Sequence, residues 1–278
     1  MGRAARVLLT GVRGKTGDPL ARLLSAREDV EVWGGSSDPT TVTVPGVRPT
    51  AFSWDEPAGW RAATEGVDAL YLVRPDRADA PELVSSLLEA TAPATRVVLL
   101  SEQDADHTGP DGWAPRVERA VRASERDWTI LRPSWFMQVF TDPRFYGGRL
   151  AESGELPYSS GGRSVAWIDT GDIAAVAERA LLEEGHTGQV HEITGPEALS
   201  LPRTAALLAD ALGAPVAHRE TTVEDELAGT DGFERELTRV TFERVHAGSF
   251  ATVTDTVARV TGRPARGLAE FLAATDLA

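Results

Sequence analysis

The stretch "RVLLTGVRGKTGDPLARLL" sets Gly11, Gly14 and Gly17 at even spacing behind an apolar run. Residues without side chains let backbone N–H groups close on phosphate oxygens, and the helix that follows adds free N–H groups and a partial positive charge. Gly11 is expected to make a tight turn with positive φ, Gly14 to let the backbone approach a pyrophosphate, and Gly17 to let the helix pack closely on the strand. Arg13, Lys15 and Thr16 complete the loop, and Lys15 is the only lysine in a chain with 28 basic residues. The Gly-Lys-Thr triplet comes too soon after Gly11 for a nucleotide-hydrolysing P-loop. The loop therefore predicts a dinucleotide.

The surrounding elements fit that role. Strand-like runs at 5–11, 29–35, 50–54, 67–75, 95–101 and 127–133 alternate with helical patterns at 16–27, 57–66, 80–94 and 115–125. This alternation predicts right-handed crossovers and a doubly wound parallel α/β sheet. Residues 134–164 read as a loop-rich lid with one short helix. Strand, turn and helix return over 165–185, a late strand spans 189–196, and the rest is mostly helical.

Composition narrows the function. A chain of 278 residues that is 42% hydrophobic buries a sizeable core, and its net charge of −14 argues against a nucleic-acid partner. Without cysteine it has no disulfide or thiolate chemistry. No apolar stretch has the length of a signal peptide or a membrane span, so a cytoplasmic protein without a membrane partner is expected.

Several further stretches carry a resemblance. "TGVRGKTG" (10–17), "FSWDEPAGW" (52–60), "GVDALYLVRP" (66–75), "RVVLLS" (96–101), "DWTILRPSWFMQ" (127–138), "WIDTGDIAAVA" (167–177), "HEITGPEALS" (191–200) and "VTGRPARGLAEF" (260–271) resemble the NmrA-like branch of atypical short-chain dehydrogenases. The resemblance is in particular to the bacterial relatives of ergot-alkaloid biosynthesis reductases. The resemblance implies a Rossmann-like dinucleotide-binding domain over 1–155, with 164–194 returning to it, and a smaller, mostly helical substrate-binding lobe over 156–278. It also implies either an NAD(P)H-dependent reductase or a dinucleotide-sensing regulator.

Cofactor choice turns on the end of the second strand. Many family members carry Gly-Ser-Arg there; this chain has Gly35-Ser36-Ser37-Asp38, with Ser37 in the arginine's place. Asp38 could accept from ribose hydroxyls, although Asp38-Pro39 reads more simply as a turn starter. Arg13 with Ser36 and Ser37 makes an alternative clamp for an adenosine 2′-phosphate, which favours NADP(H) over NAD(H).

The usual Tyr-x-x-x-Lys pair is absent, because the sole lysine lies in the glycine loop. Its region reads "DGWAPRVERA" (111–120), and the three tyrosines are Tyr71, Tyr146 and Tyr158. No catalytic residue is assigned. An already polarised electrophile needs chiefly positioning. Ligands of open α/β sheets lie at strand ends. Val73, Arg74, Pro75, Ser101 and Pro133 are therefore cofactor candidates, and Trp113, Ser134, Trp135, Phe136 and Gln138 substrate-pocket candidates.

His107 lies beside Asp104 and Asp106 and reads as a solvent residue. His186 and His191 lack a third ligand, so no metal is expected. Asp169 and Asp172 read as turn and capping residues. These features predict an NAD(P)H-dependent reductase of a small to medium, largely apolar electrophile: an imine, quinone or natural-product intermediate. A non-catalytic dinucleotide sensor and a non-redox isomerase or cyclase are the alternatives, and a homodimer is compatible with each.

Overall fold

The computed structural model describes residues 3–275. In chain order the first elements are β1 (Ala5–Leu9), α1 (Gly17–Ser25), β2 (Val30–Ser36), β3 (Val47–Ala51), α2 (Trp60–Thr64), β4 (Ala69–Val73), α3 (Ala80–Ala90), β5 (Arg96–Leu100), α4 (Trp113–Arg122) and β6 (Trp128–Pro133). Next come α5 (Tyr146–Ser153), β7 (Glu155–Tyr158), β8 (Ser164–Val165), α6 (Thr170–Leu182), β9 (Gln189–Ile193), β10 (Leu199–Ser200), α7 (Leu201–Leu212) and β11 (Ala217–Glu220). Helices α8 (Val223–Glu226), α9 (Gly232–Ala247), α10 (Thr256–Thr261) and α11 (Leu268–Ala273) close the chain. No helix among the described residues is long and apolar enough to cross a membrane.

The chain divides into two compact units. The first runs to Arg132 and takes in Ile173–His191; the second holds Pro133–Asp172 and the described residues from Glu192 onward. The sequence reading carried the dinucleotide domain to 155. By packing, residues from 133 to 172 group with the second unit, because Met137, Phe140, Leu156, Tyr158 and Trp167 are buried in its core.

The seven-stranded sheet has the order β3-β2-β1-β4-β5-β6-β9. Each ladder from β3 to β6 is parallel. Order reverses between β1 and β4, the switch point where doubly wound sheets bind ligands. Val7, Leu8 and Leu9 are wholly buried, as a strand covered on both faces requires. Helix α1 buries Leu20, Ala21 and Leu24 and turns Asp18 and Arg22 outward as an i,i+4 ion pair. The third strand falls at Val47–Ala51 rather than 50–54, in register with Val32 to Ser36. Phe52 and Trp54 instead stack edge-on at 5.3 Å beside the core of the first unit.

In the second unit, residues 134–164 are more ordered than a loop-rich lid. They hold α5, β7 and β8, with β7 pairing parallel to β11 and β8 antiparallel to β10. Trp135, Phe140, Tyr158, Trp167, Phe242 and Phe250 build an aromatic cluster there.

Candidate functional site

In the first unit, the glycine loop sits where β1 ends beside β4. Thr10 ties the two strand ends together: its Oγ1 donates to the carbonyls of Tyr71 (3.4 Å) and Val73 (3.2 Å) and accepts from Val73 N–H (2.9 Å). This holds Val73 against the next residue, and a Cβ on Gly11 would lie 3.0 Å from the Val73 side chain. Gly14 N–H donates to the Gly11 carbonyl at 2.9 Å and closes the turn. A Cβ on Gly17 would lie 1.9 Å from that same carbonyl oxygen.

The expected positive φ at Gly11 is not found; none of the three loop glycines adopts it. Close approach, rather than left-handed backbone, is what requires glycine here. Thr16 stands at the helix N-cap without a side-chain capping bond. The loop stands at the positive end of a nine-residue helix, where an anion is favoured.

The end of β2 is bound up in its own turn. Ser36 Oγ donates to the Asp38 carbonyl at 2.9 Å and accepts from its N–H at 3.2 Å. The Asp38 carboxylate accepts from Thr40 N–H (3.0 Å) and Oγ1 (2.6 Å), which gives it the turn-starting role. Those Thr40 bonds, with a smaller attraction from Arg13, hold the Asp38 carboxyl below the usual range. Arg13 is exposed and acts on this edge of the loop, and Ser37 is exposed beside it.

At the ends of β4 and β5, the Arg74 guanidinium lies over the Trp113 ring, 4.4 Å from its centroid. It donates to Glu102 at 2.7 Å and to the Leu100 carbonyl at 3.2 Å. Trp113 Nε1 donates to the Arg77 carbonyl at 2.7 Å, so α4 is pinned to the loop after β4. Ser101 is buried, and its Oγ donates to Glu118 at 2.7 Å.

Glu118 was missed from the sequence. It is fully buried on α4 and also accepts from Arg132 (2.7 and 2.8 Å) and Arg122 (2.9 Å). Its signal was available: position 118 lies on the same helical face as Ala114, Val117 and Val121 and is the acid on that buried stripe. Arg132 also reaches Asp106 at 2.8 Å, where that pairing holds the Asp106 carboxyl low. His107 is exposed, 3.5 Å from Asp104. His186 Nδ1 lies 3.2 Å from His191 Nε2, and no group of three metal-ligating side chains forms among the described residues.

In the second unit, Pro133 is buried at the end of β6, and Ser134 is buried with its N–H donating to the Ile193 carbonyl at 2.9 Å. Trp135 packs edge-on against Tyr158 (5.0 Å), Phe242 (5.7 Å) and Trp167 (6.0 Å). Phe136 bridges to Ile168.

Gln138 spends both ends of its amide on the turn at 169–171, donating to Asp169 at 2.8 Å and accepting from Thr170 N–H at 3.2 Å. Asp169 and Asp172 do more than cap. Asp172 takes Arg263 (2.5 Å) and Arg266 N–H (2.7 Å), and Asp169 takes the Arg266 guanidinium (3.1 Å). Those four residues lock the C-terminal segment of this unit.

A family model described as NAD(P)H-binding matches residues 11–184. The chain is 32% identical over 277 residues to the NAD(P)H azoreductase of Xenophilus azovorans, covering 95% of this chain and 96% of that one. Among solved structures, it resembles Escherichia coli NADPH-dependent quinone oxidoreductase QOR2 complexed with NADPH, with TM-score 0.79, 22% identity, and coverage of 96% and 98% of the two chains. It also resembles the negative transcriptional regulator NmrA in complex with NADP, with TM-score 0.73, 15% identity, and coverage of 98% and 95%. At those identities the structures speak for the fold.

Proposed function

The chain belongs to the NAD(P)H-binding family, in its NmrA-like atypical short-chain dehydrogenase branch, and we propose that this NAD(P)H-dependent oxidoreductase reduces a small to medium, largely apolar electrophile such as an imine, quinone or natural-product intermediate. The observation that carries the reading is the cradle at Gly11 and Gly17, where a side chain would crowd Val73 or collide with the Gly11 carbonyl. The azoreductase relative, matched along nearly its whole length, supports an enzyme rather than a sensor.

In this reading the loop around Gly11, Thr16 and Gly17 holds the pyrophosphate, Gly14 lets it come close to the backbone, and Lys15 supports the loop. Arg13 and Ser37 take the adenosine 2′-phosphate, with Ser36 holding the turn that presents Ser37, so NADP(H) is favoured. Val73, Arg74, Pro75 and Ser101 border the rest of the cofactor. When bound, the dihydronicotinamide supplies a hydride.

The residues present fit a reaction without Tyr-x-x-x-Lys. Arg74 is fixed by Glu102 and Trp113, and Ser101 by Glu118, so both side chains are held in one orientation. Fixed positioning is what a polarised electrophile needs. Solvent then supplies the proton that balances hydride addition to a neutral electrophile. The expected partner is a small molecule, in a cytoplasmic setting.

The test is titration with NADPH and NADH, followed by cofactor oxidation against a panel of imines, azo dyes and quinones. Turnover of at least one member supports the reading. Binding without turnover across the panel contradicts it and favours a dinucleotide sensor.

A further inference from the structure

Tyr158 ends β7 inside the second unit with its side chain wholly buried. Its ring stands edge-on to Trp135 (5.0 Å) and Phe242 (5.5 Å), and 5.9 Å from Tyr146. Its Oη has no hydrogen-bond partner among the described residues. A phenylalanine would make the same ring contacts without burying an unpaired hydroxyl, which is a costly thing to bury.

The charged neighbours do not use the phenol. The Glu226 carboxylate accepts from Thr221 Oγ1 at 2.5 Å, and Glu220 takes the N–H groups of Ser160 (2.7 Å) and Gly161 (2.8 Å) and the Ser160 hydroxyl (2.6 Å). Burial first, then Tyr146, Glu226 and Glu220, hold the Tyr158 phenol well above its ordinary range. It therefore stays protonated and keeps a proton to donate.

Two of the rings beside it, Trp135 and Tyr146, are partly buried rather than sealed. The rings around the phenol are aromatic, surroundings that suit a flat apolar ring. Tyr146 opens helix α5 directly after the exposed Phe145.

We propose that Tyr158 is the hydrogen-bond donor for the acceptor atom of a flat aromatic ligand, a ring carbonyl of the quinone type, and that Trp135 and Tyr146 flank that ligand. That this ligand is the substrate rests on the reductase reading; that Tyr158 Oη holds a ligand does not.

The test is equilibrium binding of menadione without nicotinamide nucleotide, read by quenching of tryptophan fluorescence, in the wild type and in Tyr158→Phe. The expected result is wild-type binding that weakens about tenfold in Tyr158→Phe, the loss of one neutral hydrogen bond. NADPH affinity should stay within about twofold, and the melting temperature should be equal or higher because an unpaired hydroxyl is gone. Equal menadione affinity in the two proteins, or none in the wild type, overturns the proposal. A lowered melting temperature in Tyr158→Phe also overturns it, by showing that the hydroxyl serves the fold. Failure of the reductase reading shows separately, as absent turnover across the substrate panel.

Discussion

A methyl group at Gly17 would lie 1.9 Å from the Gly11 carbonyl oxygen and 2.7 Å from its carbon, so the start of α1 rests on the end of β1 with no room for a side chain. Backbone on both sides of that approach cannot yield as a flexible side chain would. Gly17→Ala should therefore destabilise the protein by about 1–3 kcal/mol and abolish measurable NADPH binding. Gly14→Ala, whose Cβ would stand 3.2 Å from the same oxygen, should be much milder. Thermal unfolding and cofactor titration of the two variants check this. Equal effects would contradict it.

Glu118 is the centre of a buried charge network, accepting from Ser101, Arg132 and Arg122. Removing one member of such a set leaves uncompensated charge in the interior. Glu118→Ala should cost about 3–5 kcal/mol. The double variant Glu118→Leu/Arg132→Met should recover much of that, because neither charge is left alone. Chemical denaturation of the three proteins measures both changes.

Asp172 is almost wholly buried and joins Arg263 and the Arg266 backbone to the start of α6. Asp172→Asn keeps the shape and loses the charge. It should lower stability by about 1–3 kcal/mol, and amide exchange should rise first at 262–267. Unchanged protection there would contradict the lock.

His186 gives a pH dependence with a definite sign. Burial above all, with Arg96 adding to it and Glu183 opposing, holds its pKa below the usual histidine value. The unfolded chain then takes up this proton more readily than the fold does, so the contribution is intact above about pH 6.5 and is lost as pH falls below it. His186→Asn should flatten the fall in melting temperature between about pH 7 and 5. A fall of the same steepness in both proteins would show that His186 does not set it.

The cradle was legible because it is local: three glycines, a strand before them and a helix behind them lie within one short stretch. Its mechanism was misread in one respect, since spacing cannot distinguish a glycine needed for positive φ from one needed for close approach. The parallel sheet was legible from apolar runs long enough to be covered on both faces. Residues 134–164 looked loose because the stretch is rich in glycine, serine and proline. Their order comes from Trp135, Phe140, Tyr158 and Trp167 packing with Phe242 and Phe250, partners far away in sequence. Asp169 and Asp172 show the same limit: their types were visible, but their pairing with the arginines at 263 and 266 was not.

The central claim is that the glycine cradle holds NADP(H) with Arg13 at the 2′-phosphate. Titration of the wild type and Arg13→Ala with NADPH and NADH, at one fixed salt concentration, tests it most directly. The account predicts tighter NADPH than NADH binding in the wild type. It also predicts about a tenfold loss for NADPH in the variant, the worth of one charge-assisted contact, with NADH affinity nearly unchanged. NADPH and NADH affinities that are both unmoved by Arg13→Ala would contradict it.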